Sequence, residues 1–235
     1  FLGVSVCIST AKPDFDDLAD EGKMNSYQGT LYACYNGMPW YAAGIFTFAY
    51  NTYDFDRYIT FAPGLVAKSD YDGREYLGYG EAGYKFNAGG VIIRPSVAFQ
   101  VDYLTLDAFT ETGAGMYNLT YDENDIGSYQ SFLGVNISGP IKLGASAVLT
   151  PELRLKWAHE FSNDDNMIKA RLAGSGSGSS WWSVEAEDLS RDSAIVGLGL
   201  NLKFNRNVAA YIQYDAQINS DLITHTGLVG LRFEW

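Results

Sequence analysis

Reading every second residue splits most of this chain into an apolar face and a polar one. The pattern is clearest over the last eleven residues, 225–235. His225, Gly227, Val229, Leu231, Phe233 and Trp235 make one face; Thr226, Leu228, Gly230, Arg232 and Glu234 make the other. A period of two predicts a strand, because successive side chains point to opposite sides. A strand of about 9–11 residues also crosses a bilayer when tilted. A soluble sandwich would not usually finish on a bare aromatic, whereas a barrel closed by its last strand can. Taken alone, this strand leaves the soluble and the membrane reading equally open.

The same alternation predicts nine further strands. They fall at about residues 2–9, 26–36, 40–53, 74–86, 91–103, 126–137, 149–161, 193–204 and 208–217. In the first, Leu2, Val4, Val6 and Ile8 oppose Gly3, Ser5, Cys7 and Ser9. The fifth is the most regular, with Val91, Ile93, Pro95, Val97, Phe99, Val101 and Tyr103 opposing Arg94, Ser96, Gln100 and Asp102. The seventh sets Leu153, Leu155, Trp157 and Phe161 against Glu152, Arg154, Lys156 and Glu160. Residues 24–53 carry no charge, but Asn36-Gly37-Met38-Pro39 breaks them into a hairpin rather than a membrane helix. Residues 109–125 read as a long loop holding at most a small ribbon near 116–121. Residues 162–191 read as a second long segment containing a flexible Gly-Ser run at 174–180.

The connections alternate in length. Long, often acidic loops follow the odd-numbered strands; short turns rich in Gly, Asn or Pro follow the even-numbered ones. Short periplasmic turns and longer extracellular loops are the habit of a transmembrane barrel. The charges agree, since Glu81, Lys85, Arg94, Asp102, Glu152, Arg154, Lys156 and Glu160 all fall opposite the apolar face. An apolar exterior around a charged lumen is inside-out relative to a soluble barrel, and lipid tolerates such a sheet only when its backbone is paired. The expected fold is therefore all-β: a transmembrane antiparallel up-and-down barrel, as a single domain over residues 1–235.

Composition narrows the function. Aromatics make up 15% of the 235 residues, with 17 Tyr and 5 Trp, as suits a wet–apolar interface. Mean hydropathy is only −0.10, which does not fit a helical membrane protein. A net charge of −12 argues against nucleic acid as a partner. Two Cys and two His make a structural zinc site a poor fit, and no cofactor motif is visible. Phe1 opens directly into an alternating run without a signal peptide, as in a fragment of something longer.

Four blocks then carry a family resemblance: Leu149-Thr-Pro-Glu-Leu-Arg-Leu-Lys-Trp-Ala-His-Glu-Phe161, Ser190-Arg-Asp-Ser-Ala-Ile-Val-Gly-Leu-Gly-Leu200, residues 211–215, and Gly227-Leu-Val-Gly-Leu-Arg-Phe-Glu-Trp235. In order and spacing they resemble the C-terminal translocator barrel of autotransporters (type V secretion). The resemblance implies an outer-membrane anchor, in a Gram-negative bacterium, that lets an N-terminal passenger reach the cell surface. Passenger folding outside would drive export. The implied partners are outer-membrane lipid, the barrel-assembly machinery and the chain's own passenger. The family barrel has twelve strands, so the first strands and the passenger would lie outside this chain. The last strand would run from the cell surface to the periplasm, leaving either an open seam or a direct pairing with residues 2–9. By the same resemblance Val229, Leu231, Phe233 and Trp235 form the C-terminal assembly signal. A stand-alone porin or adhesin barrel is the alternative.

Candidate sites are sparse. His159 and His225 fall on the apolar face near strand ends, and no Gly-x-Ser-x-Gly elbow accompanies them, so an enzyme is not expected. Lumenal carboxylates are expected to pair with Lys85, Arg94, Arg154 or Lys156. The acidic runs at Asp14–Asp17, Asp122–Asp125 and Asn163–Asp165 lack the spacing of a calcium loop. Hairpin symmetry sets Cys7 opposite Gln28 rather than Cys34, so both thiols are expected to be free. Gly197 and Gly199 are expected to receive the Tyr211 ring from the neighbouring strand.

Overall fold

The computed structural model describes every residue except 14–19, 145, 163–166, 175–179, 186–189, 205–206 and 234–235. In chain order the strands are β1 (Leu2–Ala11), β2 (Glu21–Asn36), β3 (Trp40–Tyr58), β4 (Val66–Tyr84), β5 (Phe86–Ala88), β6 (Val91–Leu106), β7 (Phe109–Thr110), β8 (Leu119–Tyr121), β9 (Asn124–Ser138), β10 (Ile141–Leu143), β11 (Ala147–Glu160), β12 (Met167–Leu172), β13 (Trp182–Glu185), β14 (Asp192–Lys203), β15 (Val208–Ile218) and β16 (Ile223–Phe233). Ten of them form one antiparallel sheet in the order β1-β2-β3-β4-β6-β9-β11-β14-β15-β16, without a crossover. These are the ten expected strands. β3 and β4 run several residues further at their upper ends than the alternation alone suggests.

Register follows the hairpins. Cys7 faces Gln28, and both cysteines are free thiols. β16 pairs with β15 along its whole length and, among the described residues, with nothing else, so β1 and β16 are the two edges of an open seam. Trp235 lies outside the described residues. At the lower end, Gly89 and Gly90 adopt φ of 61° and 95° to turn the chain from β5 into β6.

The sheet is curled, and side-chain contacts give the sense of the curl. Lys156 on β11 reaches Glu81 on β4 at 3.2 Å although β6 and β9 lie between them. Three strand steps span about 14 Å in the plane of a sheet, so this pair meets only across a concave face. Arg154 to Asp215 at 2.9 Å and Arg94 to Glu152 at 3.3 Å each bridge one intervening strand on the same side.

Burial is inverted. The side chains buried in the sheet are small, such as Ala49, Ala98, Ala158, Ala209 and Ser26. Large apolar side chains stand on the convex face instead: Val6 is 89% exposed, Val229 76% and Leu198 58%. On β3 the convex side chains from Trp40 to Tyr50 are uncharged, and the first acidic one is Asp54. That stretch has the length of a tilted membrane strand. The upper ends of β3 and β4 therefore stand clear of the membrane.

A second, smaller sheet stands on that upper end, in the order β13-β12-β8-β7. It continues the wall over β14, β11, β9 and β6; of its four strands only β8 falls in the small ribbon expected near 116–121, and the rest were expected as loop. Phe109 faces Tyr121, and Leu106 faces Asn124, so the β6–β9 register passes unchanged into β7–β8. The faces do not continue. Five residues separate Gly73 from Lys68, whereas six separate their partners Leu106 and Thr112. One extra residue on this side, matched by one between Tyr121 and Asn124, forms a paired bulge that turns each strand over. Phe109 and Glu111 therefore point inward, where Phe109 stacks on Tyr71 at 4.1 Å and Glu111 meets Arg57.

Candidate functional site: the concave face and its raised rim

The concave face carries the charges because each falls in phase with the inward positions of its strand. Glu81 accepts hydrogen bonds from the Tyr41 hydroxyl at 3.0 Å, the Tyr79 hydroxyl and Lys156 Nζ at 3.2 Å. A second chain of charges runs from Arg94 to Glu152, then Arg154 at 2.8 Å, then Asp215. Arg154 holds both oxygens of Asp215, and its side chain is only 14% exposed. Three cations thus face three carboxylates, and this belt has no net charge.

The other expected lumenal charges behave differently. Among the described residues Glu160 is held without a cation, by Ser128 Oγ at 2.5 Å and by the Tyr129 and Ser162 backbone N–H groups. Among the described residues Lys85 has no carboxylate partner; it donates to Asn36 and to the Gly37 carbonyl at 2.9 Å, and lies over the Tyr41 ring. Asp102 faces inward with one buried oxygen that has no hydrogen-bond partner among the described residues. Pairing with Lys or Arg therefore holds for Glu81 and Glu152, and fails for Glu160 and Asp102.

Glycines make the belt possible, and their role differs from the expected one. A Cβ on Gly197 would lie 2.0 Å from Asp215 Oδ1 and 2.8 Å from Arg154 Nε, so the Arg154–Asp215 pair passes directly over this residue. A Cβ on Gly134 would lie 2.7 Å from Lys156 Cγ, on the path to Glu81. Tyr211 covers neither Gly197 nor Gly199. It sits between Asn201 and Gly230, and its ring lies over Gly230. Tyr32 over Gly3 and Tyr41 over Gly83 repeat this ring-on-glycine contact. The displacement has a simple cause: Tyr211 faces Asn201, whereas Gly199 faces Gln213 and Gly197 faces Asp215, two and four residues further along β15.

Above the membrane the rim is locked by aromatic stacking and one buried ion pair. Rings of Tyr53, Tyr71, Phe109 and Tyr121 stack in a row, with centroids 4.9, 4.1 and 4.6 Å apart. Burial pushes the Tyr71 phenol up to about 12. Arg57 donates to both oxygens of Glu111, whose side chain is 4% exposed, and hydrogen bonding to Glu111 raises the guanidinium further. Ile59, Ala67 and Ala114 form a small apolar cluster at the tip of β3 and β4. Sequence reasoning missed this rim, although Ile168, Ala170 and Leu172 alternate with Met167, Lys169 and Arg171 just as a strand should.

The convex face holds both histidines. His159 Nδ1 lies 2.9 Å from Asp192, and His225 Nδ1 lies 2.7 Å from the Tyr214 hydroxyl. Val229, Leu231 and Phe233 project from β16 on the same convex side, all strongly exposed. Two of the acidic runs, at Asp14–Asp17 and Asn163–Asp165, and most of the Gly-Ser run lie outside the described residues. Among the described residues no cluster of three His, Cys, Asp or Glu is placed to hold a metal.

An antiparallel sheet in simple chain order, apolar outside and charged inside, defines a β-barrel wall of the transmembrane class. Solved structures share this fold. The translocator domain of the autotransporter NalP from Neisseria meningitidis superposes with a TM-score of 0.78 at 14% identity, covering 100% of this chain and 75% of that one. The beta domain of the Bordetella autotransporter BrkA gives 0.74 at 15% identity, covering 100% and 82%. Residues 1–215 match the family described as Autotransporter beta-domain, and the chain belongs to that family. It is accordingly a β-barrel of the Gram-negative outer membrane. Curated relatives include Outer membrane protein A of Rickettsia conorii, 28% identical over 168 residues, and that of Rickettsia rickettsii, 27% identical over 168 residues. The match covers 71% of this chain but only 8% and 7% of those relatives.

Proposed function

We propose that this chain is the translocator and membrane anchor of a longer polypeptide, and that it carries a passenger through its concave face to the cell surface. The observation that carries the reading is the inverted wall: a polar inner face crossed by a belt of paired charges, behind an apolar, lipid-facing exterior, in a chain of the autotransporter beta-domain family. A polar face whose belt of charges is internally paired offers an unfolded chain hydrogen bonding without holding any one charge type. Glu81, Lys85, Arg94, Asp102, Glu152, Arg154, Lys156 and Glu160 face that lumen in this reading. The work is transport and anchoring rather than catalysis.

Two further assignments belong to the same proposal. The seam between β1 and β16 is closed in the working domain by further strands of the same polypeptide; the unpaired edges and the 75–82% coverage of the solved barrels support this. Val229, Leu231, Phe233 and Trp235 are read by the barrel-assembly machinery before they face lipid. An exposed strand edge with an apolar face suits β-augmentation.

The test uses the full-length polypeptide in cells. Externally added protease should reach the passenger when residues 1–235 are present, and the passenger should stay periplasmic when they are deleted. A passenger that reaches the surface without them refutes the role. For the assembly signal, the triple change Val229→Asp, Leu231→Asp and Phe233→Asp should leave the barrel unassembled, as read by heat-modifiable gel mobility. Normal assembly refutes that assignment.

A further inference from the structure

The two ends of the wall carry opposite charge. Residues 107–125, an upper connection, hold five carboxylates and no Lys or Arg. The lower connections and the end of the last strand are residues 36–40, 85–91, 138–148, 203–209 and 230–235. They hold Lys85, Lys142, Lys203, Arg206 and Arg232 against a single acidic side chain, Glu234. Glu234 can offset one of these five cations, which leaves the lower mouth positive. Register then aligns three of them. Lys142 faces Val148, Val148 faces Lys203, Lys203 faces Ala209, and Ala209 faces Arg232. Residues that face each other across a ladder share one side of the sheet. Val148 lies four residues from Glu152, so the row is concave and about 13 Å below the ion belt. Successive cations are two strand steps apart, about 10 Å. Lys142, Lys203 and Arg232 are exposed, while Ala209 is buried and Val148 half-buried between them. Gly144, at a φ of 67°, turns β10 back into β11, which puts Lys142 beside a hairpin tip. The belt above alternates cations with carboxylates; this row has no carboxylate in it.

We propose that this basic row is a docking site for peptidoglycan, which it holds by the free carboxylates of the stem peptides. The inference rests on the translocator reading for its orientation, with the short turns towards the periplasm. A barrel of the Gram-negative outer membrane has that anionic polymer directly beneath its lower mouth. Charge complementarity then selects the occupant. The polymer repeats its carboxylates along flexible peptides, so it can meet cations that stand about 10 Å apart. One exposed ion pair contributes little, but several on one polymer bind together because the first contact concentrates the rest. Two other anionic occupants fit less well. Lipid headgroups surround the convex face, whereas the row is concave. An acidic stretch of an exported chain would meet the row on entry, and a grip there would oppose its passage. A hold on the polymer below does the reverse: it braces the barrel against the pull of whatever the passenger meets outside.

Sedimentation with purified peptidoglycan sacculi tests this, using the full-length polypeptide extracted in detergent. The unchanged polypeptide should pellet with sacculi, less so as salt is raised. Lys142→Glu with Lys203→Glu should cut the pelleted fraction several-fold, and Lys169→Glu with Arg171→Glu at the upper rim should not. Arg232 is left in place because it lies within the β16 assembly strand. No pelleting of the unchanged polypeptide, or equal pelleting of the two double variants, overturns the proposal. A second measurement needs no variant: sacculi whose carboxylates have been converted to amides should lose the unchanged polypeptide several-fold, and equal pelleting overturns the docking. Vesicles of phosphatidylglycerol that displace the sacculi at equal anion concentration overturn it too, since the row then takes lipid. In intact cells, cleavage at Lys142 by added trypsin would put the row outside and overturn it as well. Passenger display separates the two readings. A lower-row double variant that displays its passenger normally and has lost sacculi supports the tether. Slowed display with sacculus binding intact assigns the row to the exported chain and overturns the proposal. A passenger that reaches the surface without residues 1–235 sinks the translocator reading alone.

Discussion

Gly197→Ala is the smallest change that asks whether the ion belt holds the sheet in its curl. The added methyl group would lie 2.0 Å from Asp215 Oδ1 and 2.8 Å from Arg154 Nε, so the pair must part or shift sideways. Both Arg154 nitrogens that reach Asp215 then lose their acceptor. A hydrogen bond to a charged group contributes about 1.5–3 kcal/mol, and breaking a fully buried pair costs about 3–5 kcal/mol. Arg154 is 14% exposed and Asp215 34%, and the belt borders water, so the lower end applies. The expected loss is about 1–2 kcal/mol after that discount. It is measured by urea unfolding of the full-length domain in detergent, followed by tryptophan fluorescence. The decisive comparison is a double-mutant cycle with Asp215→Ala. If Gly197 matters because the pair crosses it, Gly197→Ala should cost far less once Asp215 is gone, with a coupling of about 1 kcal/mol. Additive losses would show that the glycine acts through its own backbone, and the argument from the crossing would fail.

Gly230→Val places a side chain 2.3 Å from the Tyr211 ring and should slow assembly of the heat-modifiable form, whereas Gly227→Val, with open space around it, should not; equal effects would sink the ring-on-glycine contact. Glu111→Ala removes both Arg57 hydrogen bonds and the acceptor for the Leu119 backbone N–H, a loss on the order of 2 kcal/mol in local rim stability. Trypsin added to intact cells should then cut at Lys169 or Arg171 several-fold faster, and an unchanged rate would show that the ion pair is not the fastening. Leu198→Arg on the convex face should cost about 2–4 kcal/mol, as cations do in lipid, while Gln213→Arg on the concave face should cost little; similar costs would mean the two faces are misassigned. Cys7 and Cys34 should both react with a maleimide after unfolding without reductant, and a mobility shift on reduction would contradict the register.

The wall was legible because alternation is a local signal. Each strand such as β6 or β11 declares its faces through its own residues, and the Cys7–Gln28 register follows from hairpin symmetry alone. Contacts across non-neighbouring strands were not legible, since they depend on curvature. Nothing local in Lys156 or Glu81 says that they meet over β6 and β9. The same limit explains why Gly197 was assigned to Tyr211: its partners Arg154 and Asp215 flank it from both sides, and only the curl brings them together above it. The rim was missed for another reason. Its strands are short, and the paired bulge shifts their phase, so extrapolating the alternation from β6 puts Phe109 on the wrong face.

The paired bulge also fixes a dimension. Had β6 and β9 continued in phase, Phe109, Leu119 and Tyr121 would face outward and raise the apolar belt by a few residues, about 10 Å at the usual rise per residue. The extra residue in each strand replaces them outside with Thr110, Thr112 and Thr120. A belt taller than the hydrocarbon layer must tilt or thicken the bilayer, at a cost for each ångström of mismatch. The two inserted residues therefore act as a height stop, matching this side of the barrel to the thickness of its membrane. Deleting Asp107 and Glu123 together should seat the barrel in thicker bilayers.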